Sequence, residues 1–251
     1  MPSVRHSVSR WCFAQIPLPE FARAVRSLGL ESIELLHPEE WAVVREYGLT
    51  CAMGNGPDSI AESMGRRENH ARLVPAFAER IQLAAQAGVP SLVCFSGNRH
   101  GRSEEENLEA CVEGYRQVIR LAERAGVTLC LELLNSKIDH PDYQADSTRW
   151  GVELCERVGS ERFKLLYDIY HLQIMEGDLI RTIQAHHSHI GHYHTAGNPG
   201  RHELDDAQEI NYGTVTRAIQ ATGFTGFIGH EFIPTRDPLA SLQQAVRICT
   251  V

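Results

Sequence analysis

Residues 103–133 read SEEENLEACVEGYRQVIRLAERAGVTLCLEL. Ser103 with Glu106 three positions on is the pattern of a capping box, in which hydroxyl and carboxylate each satisfy a free backbone N–H of the first helical turn. Leu108, Cys111, Val112, Tyr115, Val118, Ile119 and Ala122 then recur in steps of three and four, laying one apolar stripe along a helix. Gly126 stops that helix, and 127–131 reads as a buried strand that runs into Glu132. The unit is helix, glycine, apolar strand, carboxylate.

The same order precedes it. Leu73, Phe77, Ile81 and Ala84 share a helix face, Gly88 is the stop, and 91–95 is the strand. Pro75 lacks an N–H to donate, so that helix is expected to start later than its apolar pattern suggests. Runs of this kind give eight strands, at 4–8, 32–36, 50–53, 92–95, 129–133, 163–167, 190–193 and 227–232. A chain of 251 residues then carries about 31 per unit, the size of a strand with its crossover helix. Strands alternating with helices imply a parallel sheet. Neither G-x-G-x-x-G nor G-x-x-x-x-G-K-[ST] occurs, which argues against a nucleotide cofactor. The expectation is an α/β chain folded as one closed (β/α)8 barrel domain over 1–251.

Composition agrees. Hydrophobic residues are 43% and charged residues 22%, the usage of a globule rather than a disordered chain. A formal charge of −8 argues against a broad positive face for nucleic acid. Seven widely spaced cysteines, without a C-x-x-C, read as reduced and buried. Cys94 and Cys130 have no His/Asn partner nearby and are not expected to act as nucleophiles. Nothing at the N-terminus reads as a signal peptide, and no window reaches the ~18 apolar residues of a membrane span, so a cytoplasmic location is expected.

In barrels of this kind the reactive side chains stand at the C-terminal ends of the strands. Strand five ends on Glu132, strand six on Asp168, strand seven on His192 and His194, strand eight on Glu231. One carboxylate after an apolar run usually caps the next helix or pairs with a neighbour. Several at successive strand ends are costly to bury apart and suit one shared dication. His192 and His194 lie on the same strand face, so one can ligate while the other lines the pocket. His186, His187 and His189 read as solvated. Oxygen-rich ligation with one imidazole favours Mg²⁺ or Mn²⁺, with Zn²⁺ or Co²⁺ as further candidates.

Three segments, LELLNSKIDH (131–140), LLYDIYH (165–171) and HYHTAGNPGRHE (192–203), with EINY (209–212) and GHEFIP (229–234), resemble the hydroxypyruvate isomerase family. That family lies within the xylose-isomerase-like barrels, beside ketose 3-epimerases and endonuclease IV-type enzymes. The resemblance spans nearly the whole chain, strongest from Glu132 onward and weak before Leu73. Asp-x-x-His after strand six is common to the group, while Glu-Leu-Leu-Asn-Ser and Pro-Gly-Arg-x-Glu point to the isomerase branch. The resemblance implies Glu132, Asp168, His194 and Glu231 as metal ligands, Glu132 and Glu231 as the acid/base pair, and His171 and Arg201 on substrate oxygens. Some hydroxypyruvate isomerases carry Gln where this chain has His194, and His there is nearer the epimerase pattern.

The implied reaction, hydroxypyruvate to tartronate semialdehyde, moves a proton between adjacent carbons through an enediolate. A chelated dication polarises the carbonyl, and one glutamate removes the proton that the other returns. Three carboxylates and a dication sum to one net negative charge, so a substrate carboxylate needs a further cation. Arg201 is the first candidate and Arg99 the second. Glu34 reads as a pocket or structural acid, Trp11 and Phe13 as a wall over the substrate, and the loop with Lys137 and Asp139 as a partial lid. The alternatives are a ketose 3-epimerase on a neutral sugar, abasic-site DNA cleavage, and a non-catalytic sugar- or acid-binding barrel. Expected partners are a small hydroxy-keto acid or sugar and, through the outer helices, another copy of the chain; neither nucleic acid nor membrane is expected.

Overall fold

The capping box at Ser103 forms as read: Glu106 N–H reaches Ser103 Oγ at 3.3 Å, and Ser103 N–H donates to Glu106 Oε2 at 2.8 Å. A computed structural model describes residues 4–251. Eight strands follow one another as β1 (Arg5–Ser9), β2 (Ser32–Glu34), β3 (Gly54–Asn55), β4 (Ser91–Cys94), β5 (Thr128–Leu133), β6 (Phe163–Asp168), β7 (Ile190–Thr195) and β8 (Phe227–His230). The helices between and after them are α1 (Leu18–Ser27), α2 (Trp41–Glu46), α3 (His70–Ala87), α4 (Glu104–Ala125), α5 (Thr148–Val158), α6 (Ile169–Met175), α7 (Leu179–His186), α8 (Tyr212–Ala221) and α9 (Pro238–Cys249). None of the described helices is long and apolar enough to cross a membrane.

All ladders are parallel, in the order β2-β1-β8-β7-β6-β5-β4-β3. Parallel bridges Ser32↔Thr50 and Leu36↔Gly54 bring the two edges together, so the sheet is a nearly closed (β/α)8 barrel. One expected strand is displaced. The run 50–53 touches β2 only through isolated bridges, and the ladder to β4 forms on Gly54 and Asn55. A Cβ at Gly54 would meet the Trp41 ring at 2.8 Å, so this close approach selects glycine rather than an apolar side chain.

Helix α3 also departs from expectation. It starts at His70, ahead of Pro75, rather than after it. Ala71, whose carbonyl loses its donor, and Pro75 are both exposed, so the missing hydrogen bond falls on the solvent side of the helix, where its cost is lowest. The helix ends as expected, at Gly88 with φ of 71°.

Inside the barrel, alternation along each strand stacks two layers. Met53, Val93, Cys130 and Leu166 form a separate buried apolar cluster. Two residues further along β5 and β6, Glu132 and Asp168 face the same way, toward the C-terminal mouth. A register shift between Leu165 and Leu166 makes His192 the partner of Leu166 and His194 the partner of Asp168. Gly191 stands at that irregularity, where a Cβ would lie 2.9 Å from Lys164 Cβ. Cys94 and Cys130 are buried and burial raises their thiols, which agrees with inert packing.

Between β1 and β8 a chain of imidazoles packs without charge. His6 Nδ1 is 3.2 Å from His230 Nε2, His6 Nε2 is 3.1 Å from Thr250 Oγ1, and His230 Nδ1 is 2.9 Å from Thr195 Oγ1. Burial lowers His6 to about 4 against a weaker opposite pull from Glu31, and burial together with His6 lowers His230 well below its ordinary value. Because the unfolded chain takes up these protons near the ordinary value of 6.5, their contribution is present above pH 6.5 and is lost toward pH 4. Each group steepens the loss by up to about 1.4 kcal/mol per pH unit. Urea midpoints are therefore expected to fall across this window, and less steeply in His6→Gln. An unchanged slope in that variant contradicts the assignment.

Candidate active site

The strand-end residues meet at one mouth. Glu132 is within β5, Asp168 ends β6, His194 is near the end of β7, and Glu231 follows β8 with its N–H held by the Thr195 carbonyl at 3.0 Å. All four are buried, and one ligand atom of each lies within 4.8 Å of the others. His194 Nδ1 is the hub, at 2.9 Å from Glu231 Oε2, 3.4 Å from Glu132 Oε1 and 4.0 Å from Asp168 Oδ2.

Asp168 shows how local sequence and site are joined. Its Oδ1 caps α6, accepting from the N–H groups of Tyr170 at 2.9 Å and His171 at 3.2 Å, while Oδ2 faces the cluster. The Asp-x-x-His spacing thus puts His171 in the first turn of a helix that the aspartate itself starts. Helix capping and site duty are shared between two oxygens of one carboxylate.

Arg201, from the loop after β7, completes the cluster. Its Nη2 donates to Asp168 Oδ2 at 3.2 Å and to Glu231 Oε2 at 2.5 Å, and Nη1 donates to His171 Nε2 at 2.6 Å. The guanidinium expected to await a substrate carboxylate is engaged with the protein's own. Trp11 covers it at 5.6 Å and donates Nε1–H to Glu231 Oε1 at 2.6 Å. The indole read only as a wall therefore also fixes a site carboxylate, whereas Phe13 is plain core.

The other candidates fall elsewhere. Arg99 pairs with Asp146 at 2.6 Å and does not line the cavity, which corrects its place as a substrate clamp. Glu34 is fully buried beneath His194 and also leaves the substrate contacts; its carboxylate lies 2.8 Å from His194 Nε2 and 3.0 Å from His192 Nε2. His192 faces Glu34 rather than the pocket. Lys137 Nζ donates to the Ile174 and Met175 carbonyls at 3.0 Å, and Asp139 accepts from Tyr170 Oη at 2.8 Å, so that loop is pinned down rather than free as a lid. His140, not singled out from the sequence, lines the cavity with its ring 5.4 Å from that of His171. His187 is exposed and His186 and His189 half-buried, away from the site.

Charge follows from these contacts. Burial pushes Glu132 up, and although His194 opposes it, Glu231 adds to the rise. Asp168 is pushed up to about 7, by burial against Arg201. Burial acts on Glu231 too, yet His194 and Arg201 hold it below the ordinary carboxylate range. Burial would lower His194, but Glu231, Glu132 and Glu34 outweigh it and raise the imidazole well above its usual value. His171 is held neutral by burial and by Arg201.

The site therefore draws in positive charge, and its donor set fits a dication. His194 Nδ1 is buried without an aligned hydrogen-bond partner and is surrounded by oxygens of three carboxylates. One imidazole nitrogen and three carboxylate oxygens suit a hard or borderline divalent ion. Beside the cluster opens a cavity of about 650 Å³, reached by Glu132, Glu231, His171 and Arg201 and walled by Trp11, Phe95 and Leu134.

Comparison with known proteins gives the same architecture. The family model described as xylose isomerase-like TIM barrel matches residues 22–249. The hydroxypyruvate isomerase of Escherichia coli (strain K12) is 31% identical over 189 residues, covering 75% of this chain and 71% of its own. The 2-oxo-tetronate isomerase of Cupriavidus necator is 28% identical, with 90% of both chains covered. Among solved structures, an AP endonuclease of family 2 from Brucella melitensis superposes with a TM-score of 0.84 at 25% identity, over 96% of this chain and 97% of its own.

Proposed function

We propose that this chain, an isomerase that belongs to the xylose isomerase-like TIM barrel family, interconverts a small hydroxy-keto acid and its aldehyde isomer, with hydroxypyruvate and tartronate semialdehyde as the pair. One observation carries the reading: Glu132 and Glu231, brought in from β5 and from the end of β8, converge on His194 Nδ1 at 3.4 and 2.9 Å and both line the cavity. That is the arrangement a proton shift between adjacent carbons requires. The isomerase relatives from E. coli and C. necator support the choice of a keto acid.

Glu132, Asp168, His194 and Glu231 would hold the metal, Mg²⁺ or Mn²⁺ fitting their oxygen-rich set. When bound, such an ion polarises a carbonyl and steadies negative charge on its oxygens. The protein's own groups account for the rest. Glu231, held charged, takes the proton from the hydroxyl-bearing carbon, the hydroxyl proton passes to the former carbonyl oxygen, and Glu132 returns a proton to the neighbouring carbon, after which both carboxyls recover their starting states by exchange with solvent. Each transfer is worth about 10²–10⁴ in rate. Neutral His171 accepts from Arg201 on Nε2 and so holds the guanidinium at the edge of the cavity. Trp11, Phe95 and Leu134 give the cavity an apolar wall beside the reacting carbons. Arg201 supplies the cationic edge toward the substrate carboxylate.

The size of the cavity favours one second reading, a ketose 3-epimerase using the same glutamate pair on a small sugar, since about 650 Å³ leaves room beyond a three-carbon acid. Deuterium uptake followed by NMR in D₂O separates the readings. Hydroxypyruvate is expected to acquire deuterium next to its carbonyl faster than fructose-type ketoses do. Arg201→Ala is expected to slow the acid more than any ketose. Preference for the ketose assigns the epimerase, and absence of exchange with every α-hydroxy carbonyl tested leaves a binding barrel without catalysis.

A further inference from the structure

We infer that Glu34 is a positioning residue that fixes the ring hydrogen of His194 on Nε2, leaving Nδ1 to the metal, and that Gly229 is glycine because this brace fills its side-chain space. The inference rests on the metal reading above and concerns residues that touch neither substrate nor ion.

Geometry supplies the argument. Glu34, at the end of β2, is completely buried inside the barrel. Its two oxygens divide between two imidazoles of β7, Oε1 at 2.8 Å from His194 Nε2 and Oε2 at 3.0 Å from His192 Nε2. A carboxylate only accepts hydrogen bonds, so the hydrogen of the His194 ring sits on Nε2. The other nitrogen, Nδ1, faces Glu132, Asp168 and Glu231 with no aligned hydrogen-bond partner of its own, and once an ion replaces its proton it would offer the lone pair to that ion. A carboxylate behind an imidazole in this way orients the ring and makes its free nitrogen a better donor.

Gly229 explains how so large a group fits there. In the ladder Gly229 is the partner of His194 across β7 and β8. A Cβ on it would lie 1.9 Å from Glu34 Oε1 and 2.9 Å from His194 Cδ2. Both neighbours are enclosed, so neither can step aside without breaking their contact. The first residue of the segment GHEFIP is therefore a clearance for the brace, two positions before the Glu231 that uses it. His192 Nε2 lies 3.0 Å from the second oxygen without an aligned hydrogen bond, so both histidines of β7 flank Glu34, one as the ligand it braces and one beside its other oxygen.

The test uses the whole chain, titrated calorimetrically with Mn²⁺ after chelation, as wild type, Glu34→Gln and Gly229→Ala. Gln keeps the shape of Glu34 and loses its charge. Both variants are expected to raise the Mn²⁺ dissociation constant about ten- to hundredfold with one ion per chain throughout, Glu34→Gln while remaining folded and Gly229→Ala with a lowered urea midpoint, because its methyl must displace Glu34 or His194. Proton-coupled ring ¹⁵N spectra of the Mg²⁺-loaded wild type are expected to place the His194 hydrogen on Nε2. Should Gly229→Ala fail to fold, Glu34→Gln decides alone. Wild-type affinity in folded Glu34→Gln, a hydrogen on Nδ1, or a second ion per chain held by Glu34 and His192 each overturn the inference and leave the metal reading standing. Absence of Mn²⁺ binding by wild type overturns both.

Discussion

Glu231→Gln is expected to lower isomerisation and solvent-deuterium exchange about 10²–10⁴-fold with the fold kept. The size of the effect follows from what the carboxylate touches. Its Oε1 accepts from Trp11 at 2.6 Å, and its Oε2 faces His194 at 2.9 Å and the Arg201 guanidinium. These neighbours overcome burial and keep Glu231 charged, so it is the group ready to accept a proton. Gln fills the same space and removes the basic oxygen. It also turns an N–H₂ toward Arg201 and His194, or toward Trp11, so one donor must face another. A parallel Mn²⁺ titration separates the two duties assigned to this residue. Lost exchange in protein saturated with Mn²⁺ places the defect in proton transfer, whereas lost exchange that excess Mn²⁺ restores places it in ligation. Exchange at the wild-type rate would remove Glu231 from the chemistry.

Much of this site could be read from residues 131–231 because its information is local. Glu132, Asp168, His194 and Glu231 each close or follow an apolar run, and alternation along a strand dictates which side chain faces inward. The capping box at Ser103 is local in the same way, since donor and acceptor are three residues apart. What escaped reading depends on distance in sequence or on empty space. Glu34 and His194 are 160 positions apart, and nothing in either segment announces the other. Arg99 looked available because its partner, Asp146, comes from a different loop. Gly54 and Gly229 carry the signal in the side chain they lack, which an apolar count passes over; hence β3 was sought at 50–53. Arg201 differs again. Summing charges calls for one more cation, and only the fold shows that Arg201 reaches Asp168 and Glu231 while it also lines the cavity.

Exhaustive chelation is expected to abolish turnover entirely, and added Mn²⁺ or Mg²⁺ to restore it. The carboxylates of Glu132, Asp168 and Glu231 crowd one imidazole nitrogen, and Arg201 contacts only the last two. In the chelated protein Arg201 and a proton on His194 hold these charges, so the fold is expected to survive. Catalysis is not expected to survive, because a guanidinium offers no open coordination position to a carbonyl oxygen. Stability gives a second reading of the same event. An ion present at a hundred times its dissociation constant adds about 2.7 kcal/mol, which for a chain of this length raises the melting temperature by about 5–10 °C. Both responses should follow one titration curve, because one ion at one site produces both. Full activity after chelation, with no change in melting temperature, would leave four buried side chains converging without the ion their arrangement calls for, and would return the proton shift to Glu132 and Glu231 alone.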